Sequence, residues 1–171
     1  MQQLKVSIKY INFIKQQLEG FKSNPFLDSG GVATIGYGTT IYPNGDKVTM
    51  EDKQINEVEA SNYLMLAIKS CENFVNSCFN FSTKAWGSSI FLKQNVFDAL
   101  VDLTYNVGEN NVKFIAHTGQ QTQLLLKFNR GDLFGAHDEL LNGWDTTING
   151  KYCVGLKNRR LAEYKMWGGQ Y

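Results

Sequence analysis

The feature that most limits the possible folds is a long run of helical periodicity that begins near Thr49. Thr49 and Asp52, three residues later, predict the first helical turn through a shortened capping box. Apolar residues then recur at helical spacing at Ile55, Val58, Leu64, Ile68, Cys71, Phe74, Val75 and Cys78. A helix of about thirty residues is ~40 Å long, which exceeds the core of one small lobe. The run therefore predicts a helix that connects two lobes.

The segments on either side of this helix differ in character. The first twenty residues predict an amphipathic helix that ends at Gly20. From Pro25 to Val48, glycines alternate with β-branched residues between turn signals at 29–31 and 43–46, which predicts a small antiparallel sheet of two or three strands. Residues 91–106, 120–129, 132–142 and 156–167 predict further helices. This segregation predicts an α+β fold.

Length and composition are consistent with one globular domain divided into two lobes. We expect a single domain over 1–171, with an N-terminal lobe at about 12–60 and a helical lobe formed by about 75–171 and the first helix. Seventeen basic and sixteen acidic residues give a net charge of +1, so we expect no nucleic-acid partner and no stable membrane association. The apolar runs are too short to span a bilayer.

The cysteines and the first residues bear on the cellular compartment. On the predicted long helix, Cys71 and Cys78 lie two turns apart, roughly 10 Å, which is beyond disulfide reach. With Cys153, they are expected to be reduced thiols in a protein of intracellular origin. Residues 1–10 carry charge and glutamine rather than a hydrophobic segment, so we expect no signal peptide.

The stretch from Glu19 to Gly38 contains the residue types needed for acid catalysis. Glu19 ends the first predicted helix, where the helix dipole disfavours the ionised form of a carboxyl group. The apolar neighbours Leu18, Phe21 and Phe26 act in the same direction. A carboxylic acid that keeps its proton near neutral pH can serve as a general acid.

Asp28 and Thr34 flank the predicted hairpin turn that follows. A three-residue loop at 29–31 would place Asp28 opposite Val32, with Thr34 diagonally on the same sheet face. A two-residue Gly-Gly loop would place Asp28 and Thr34 on opposite faces. Two carboxyl groups across a cleft can hydrolyse a glycosidic bond. The same spacing is also typical of an ordinary helix end followed by a turn.

Three ordered blocks of sequence resemble one family. Glu19 is followed nine residues later by Asp28, then six later by Thr34, and then by Ile-Gly-Tyr-Gly at 35–38. A second block covers 94–100 and 105–108, and a third covers 155–160 with Glu163. In these blocks the chain resembles the phage-type lysozymes, the endolysins of glycoside hydrolase family 24, over nearly its whole length. The resemblance implies a lysozyme-like fold.

The resemblance also implies a substrate and a mechanism. The substrate would be peptidoglycan, cut at the β-1,4 bond between N-acetylmuramic acid and N-acetylglucosamine. Glu19 would be the general acid and Asp28 its partner carboxylate, and Thr34 would position the attacking water, with inversion at the anomeric carbon. No metal or organic cofactor is implied.

Further residues are implied to contact the sugar chain or to support the acid. The sugar-contacting positions are Thr40, Tyr105, Thr122 and His137. Tyr105 could equally be a half-buried core residue, Thr122 a helix cap and His137 a surface residue. Arg159 or Arg160 would hold Glu19, although an arginine there favours the ionised acid, and a solvated basic face remains the alternative. Thr39 stands where the family frequently has a histidine.

The implied role is that of a monomeric endolysin at the end of a phage lytic cycle. It would stay in the host cytoplasm until a separate holin-like protein gives it access to the wall, although an antibacterial effector delivered by another machine would look the same. Two other functions remain open. A lytic transglycosylase needs only the glutamate, so Asp28 and Thr34 count against it. A non-catalytic peptidoglycan-binding protein on a lysozyme scaffold needs neither carboxyl group.

Overall fold

The computed structural model describes residues 3–81, 90–144, 146–148 and 150–171, and for 90–92 the backbone alone. The predicted α+β class is confirmed. Helix α1 (Ile8–Phe13) continues as a π-helical segment (Ile14–Glu19), and the other elements are β1 (Lys22–Leu27), β2 (Ala33–Gly36), α2 (Glu57–Cys78), α3 (Ile90–Val107), α4 (Glu109–Lys113), α5 (Gln123–Asn129), α6 (Leu133–Asn142), β3 (Thr147–Ile148), β4 (Lys151–Tyr152) and α7 (Val154–Trp167).

The first helix is shorter than the sequence predicts. It begins at Ile8, where the Ser7 hydroxyl caps it by accepting a hydrogen bond from the backbone N–H of Tyr10 at 3.1 Å. Upstream, the backbone N–H of Val6 donates to the Glu72 carboxylate at 2.7 Å. Residues 3–6 therefore lie outside the helix, because side chains of α2 accept hydrogen bonds from the backbone of Leu4 and Val6. The predicted end at Gly20 is confirmed, since its φ of 64° leaves the helical region.

The prediction that the long helix starts at Thr49 is wrong. Thr49 and Asp52 do form side-chain hydrogen bonds, at 2.9 and 2.7 Å, but these close an isolated turn. Helix α2 begins after Asn56, whose side chain forms a full capping box with Glu59. Its 22 residues span ~33 Å, and it packs against both β2 and α3. The division into two lobes stays a prediction.

The hairpin has the longer of the two loops considered. Strands β1 and β2 pair antiparallel, with Phe26 opposite Thr34, and the backbone N–H of Asp28 donates to the carbonyl of Val32 at 3.0 Å. The loop is thus the three residues 29–31, and Asp28 and Thr34 belong to the same face of the hairpin. Beyond β2, only isolated bridges extend this small sheet within the described residues.

Helix α3 lies at the centre of the helical part and packs against α2 and α7. Its apolar side chains form much of the core, with full burial at Val96, Phe97, Ala99, Leu100, Val101 and Leu103. The same helix carries Asp98 and Asp102, which are also fully buried. Buried carboxylates require hydrogen-bond partners. Asp98 and Asp102 accept hydrogen bonds from residues at the start of the first helix and from residues in the C-terminal part of the chain.

Several smaller features complete the fold. The sequence analysis missed α4 and the β3–β4 hairpin, because elements of five and two residues carry no readable periodicity. Cys71, Cys78 and Cys153 are free thiols, and burial raises the pKa of Cys71 to about 12. Among the described residues, no helix has the length and apolar character that crossing a membrane requires.

The start of α2 can be tested with two substitutions. Asn56→Ala removes the cap, so we expect it to lower the free energy of unfolding by about 1 kcal/mol in chemical denaturation. Gln54→Ala, at an exposed position two residues earlier, is the matched control and should stay within about 0.5 kcal/mol of the wild type. Equal losses in both variants would contradict this assignment of the helix start.

Candidate active site

Glu19 lies at the last position of the π-helical segment and is mostly buried. Its Oε1 accepts a hydrogen bond from Nη1 of Arg159 at 2.5 Å. Its Oε2 faces Gly38, where an added Cβ would lie 2.9 Å from Oε2 and 3.1 Å from the Tyr105 hydroxyl. The carboxyl group is thus held on one side by a guanidinium and approached on the other by bare backbone.

Arg159 joins Glu19 to the core of the molecule. Its Nε and Nη2 donate to the two carboxylate oxygens of Asp102 at 3.1 and 3.0 Å, in a bidentate ion pair. The Tyr10 hydroxyl also donates to Asp102, at 3.2 Å. Burial lowers the pKa of Arg159, but Asp102, Glu19 and Glu163 outweigh it, so the net pKa is raised. Arg159 therefore stays charged and fixes the position of Glu19.

Arg160, the other candidate to hold Glu19, points elsewhere. Its Nη2 donates to Glu163 at 2.6 Å and to the side-chain oxygen of Asn106 at 2.5 Å. Both Arg160 and Glu163 are buried in the interior. The structure thus answers the question that the sequence left open, because Arg159 contacts Glu19 and Arg160 pairs with Glu163.

Asp28 is organised by the hairpin loop. Its Oδ1 accepts hydrogen bonds from the backbone N–H groups of Gly30 and Val32, both at 2.8 Å. Its Oδ2 accepts no hydrogen bond from the described residues, and the side chain is half-buried. Thr34 is buried, and its hydroxyl donates to the carbonyl of Val32 at 3.0 Å. With its proton engaged, the Thr34 oxygen can accept a further hydrogen bond.

Two cavities are bordered by residues that contact Glu19. One, of about 500 Å³, is bordered by Leu18, Ser29 and Arg159 among other residues. The other, of about 410 Å³, is bordered by Gly38, Thr40 and Tyr105 among others. Glu19 contacts Arg159, which borders the first cavity, and lies against Gly38, which borders the second.

Thr40 and Tyr105, two of the predicted sugar contacts, share the second cavity. The Tyr105 hydroxyl donates to the backbone carbonyl of Tyr37 at 2.7 Å. Burial, together with the charge of Glu19, raises the pKa of Tyr105, so its hydroxyl stays protonated. Thr39, at the position of the family's frequent histidine, is buried and pairs through its backbone with Ile35.

The structure does not bring Thr122 and His137 to these two cavities. Thr122 caps α5, and its buried hydroxyl donates to the carbonyl of Val112 at 2.7 Å. The His137 ring stacks on Tyr164 with centroids 3.7 Å apart, and its Nε2 lies 2.8 Å from the carbonyl oxygen of that residue. His137 and Thr122 each border another cavity. Both side chains therefore make contacts within the fold and do not lie beside Glu19.

The sequence analysis missed Asp102 as a partner of Arg159. A signal existed, because Asp102 interrupts an apolar stretch of α3 between Val101 and Leu103, where a charge demands a buried partner. That partner lies 57 residues away, however, so spacing could not identify it. Among the described residues, no group of three or more His, Cys, Asp or Glu side chains could hold a metal ion.

Comparison with known proteins gives a consistent result. The phage lysozyme family model matches residues 16–163. The SAR-endolysin of bacteriophage PS119 is 30% identical over 155 residues, which cover 90% of this chain and 79% of that protein. The endolysin of Acyrthosiphon pisum secondary endosymbiont phage 1 is 31% identical over 161 residues, which cover 92% and 94%.

A solved structure agrees. The endolysin from Escherichia coli O157:H7 phage FAHEc1 aligns with a TM-score of 0.74 and 29% identity, over 97% of this chain and 94% of that one. The fold is thus lysozyme-like, as the resemblance implies. Because the family model spans most of the chain and includes Glu19, Asp28, Thr34 and Arg159, the protein belongs to the phage lysozyme family.

Proposed function

We propose that this protein is a muramidase of the endolysin type. It hydrolyses the β-1,4 bond between N-acetylmuramic acid and N-acetylglucosamine in bacterial peptidoglycan. The observation that carries the proposal is the position of Glu19, held by Arg159 at 2.5 Å and next to the bare backbone of Gly38, each of which borders a cavity. Membership of the phage lysozyme family, a family of enzymes that lyse cell walls, supports the same activity.

Glu19 is the general acid of this proposal. Arg159 fixes Oε1, so the proton is delivered from Oε2, on the side of Gly38 and the Tyr105 hydroxyl. The proton goes to the glycosidic oxygen as the bond to the anomeric carbon breaks. Since Gly38 has no side chain, its backbone can lie against Oε2 without displacing the carboxyl group.

Asp28 and Thr34 activate the attacking water. The free Oδ2 of Asp28 takes a proton from the water, while two backbone N–H groups hold Oδ1 in place. Thr34 accepts a second hydrogen bond from the same water, because its own proton is donated to Val32. Attack from the face opposite to Glu19 inverts the anomeric carbon, which requires carboxyl groups roughly 6.5–9.5 Å apart.

We also propose a role for this activity in the infected cell. The wall is cleaved at the end of a phage lytic cycle by a monomeric enzyme, and a separate holin-like protein gives it access to the wall from the host cytoplasm. Endolysins of phages among the relatives support the lytic part of this role.

Removing the acid is the first test of this proposal. Glu19→Gln keeps the shape of the side chain but cannot donate a proton, so we expect digestion of purified peptidoglycan to fall by about 10²–10⁴-fold. The fragments of the wild-type digest are identified by mass spectrometry, and reducing muramic acid ends are expected. Anhydro-muramic ends would indicate a lytic transglycosylase, and binding without cleavage a non-catalytic protein. Wild-type rates in the variant would refute the assignment of the acid.

The partner carboxylate is tested separately. Asp28→Asn retains a side-chain oxygen for the N–H groups of Gly30 and Val32, so the loop persists while the base is lost. We expect at least a ~10²-fold loss of kcat with an unchanged melting temperature. Asp46→Asn, in the exposed turn at 43–46 where the carboxylate contacts Asn44, is the matched control and should keep full activity. Substantial turnover by Asp28→Asn would contradict the scheme with two carboxyl groups.

The approach of Gly38 to Glu19 gives a third test. Gly38 has φ 94° and Gly45 has φ 93°, so alanine strains the backbone similarly at both positions, by about 1–3 kcal/mol. Only at Gly38 does the added Cβ press on Glu19, since nothing lies within 4 Å at Gly45. We expect Gly38→Ala to lose about 10²-fold in kcat through displacement of the acid, and Gly45→Ala to lose stability alone. Equal activities in the two variants would contradict this account of the site.

A further inference from the structure

We propose that Asp102 is a positioning residue that lets Arg159 hold Glu19 in place while Glu19 carries the catalytic proton. This inference rests on the proposed function, because it concerns Glu19 as a general acid. Asp102 lies on α3 with no exposed surface, so it cannot touch substrate and must act through Arg159.

The difficulty that Asp102 resolves is electrostatic. An arginine within hydrogen-bond distance of a carboxyl group favours the ionised form of that group. A general acid must instead be protonated when substrate binds. Arg159 alone would therefore orient Glu19 and at the same time weaken it as an acid.

The geometry of the ion pairs separates these two effects. Asp102 accepts from two nitrogens of Arg159 at 3.1 and 3.0 Å, whereas Glu19 accepts from the remaining one. The Tyr10 hydroxyl holds Asp102 in this position. Charges that are shielded from water interact strongly, so a fully buried carboxylate offsets much of the Arg159 charge at Glu19. The Arg159 ion pair is complete even when Glu19 is neutral.

Among the described residues, no carboxylate other than Asp102 forms a bidentate pair with Arg159. Glu163 comes within 3.8 Å of Arg159, but its Oε1 is paired with Arg160 at 2.6 Å. The titratable groups that surround the Arg159–Asp102 pair are Tyr10 from α1, Glu19 from the π-helical segment, Cys71 from α2, Tyr105 from α3, and Arg160 and Glu163 from α7.

The pH dependence of peptidoglycan hydrolysis tests this inference. In Asp102→Asn the charge of Arg159 is no longer offset, so the ionised form of the general acid is favoured. We expect the high-pH limb of kcat/KM to move down by about one pH unit. Activity should fall roughly tenfold at neutral pH and recover in acid, a pattern that a merely structural defect would not produce.

Asp98→Asn is the matched control. Asp98 is also fully buried, one helical turn before Asp102, but it accepts hydrogen bonds from Ser7, Gln94 and Tyr171, with none from Arg159. The high-pH limb of kcat/KM for Asp98→Asn should coincide with that of the wild type. The inference would be overturned if folded Asp102→Asn had a high-pH limb at the same or a higher pH than the wild type. It would also be overturned if the variant lost the same fraction of activity at every pH.

Thermal unfolding supplies a second test that needs neither turnover nor the folding of Asp102→Asn. If Asp102 satisfies Arg159, Glu19→Gln should melt within about 2 °C of the wild type at neutral pH, or above it. A larger drop would show that Arg159 depends on the charge of Glu19 and would overturn the role of Asp102. A wild-type protein without any hydrolytic activity would refute the proposed function separately, leaving the melting comparison valid.

Discussion

The double contact of Arg159 is the interaction on which the candidate site depends. One guanidinium group donates hydrogen bonds both to the fully buried Asp102 and to Glu19. For this to happen, the C-terminal helix α7, the central helix α3 and the end of the first helix must meet at one point. The position of Glu19 therefore depends on packing between segments that are far apart in the chain. A change in the packing of α7 against α3 would move Arg159 and with it the Glu19 carboxyl group.

The hairpin supplies the other half of the proposed chemistry by local means. Its three-residue loop orients Asp28 through two backbone N–H groups, and its strand pairing puts Thr34 on the same face. These contacts lie within a few residues of one another, which explains why spacing alone predicted a hairpin turn here, although it left the length of the loop open. The site thus combines one carboxyl group placed by tertiary contacts with another placed by a turn.

The errors of the sequence analysis have physical causes. Thr49 with Asp52 and Asn56 with Glu59 offer the same capping chemistry, and only the packing of α2 decides which one starts the helix. The π-helical turns before Glu19 leave no trace in residue spacing. Arg159 and Arg160 are adjacent, so only the packing of α7 against α3 determines which of them reaches Glu19. The sugar contacts implied by resemblance alone lie in different parts of the structure. Thr40 and Tyr105 border the cavity that Gly38 also borders, whereas Thr122 and His137 border other cavities.

A crystal structure of Glu19→Gln with a bound peptidoglycan fragment would test the central claim most directly. The account predicts the carboxamide at position 19 within about 3 Å of the bridging glycosidic oxygen and still held by Arg159. The Asp28 carboxylate should lie on the opposite face of the same sugar ring, with space for one water molecule between them. A glycan bound away from Glu19, or both groups on one face of the ring, would contradict it.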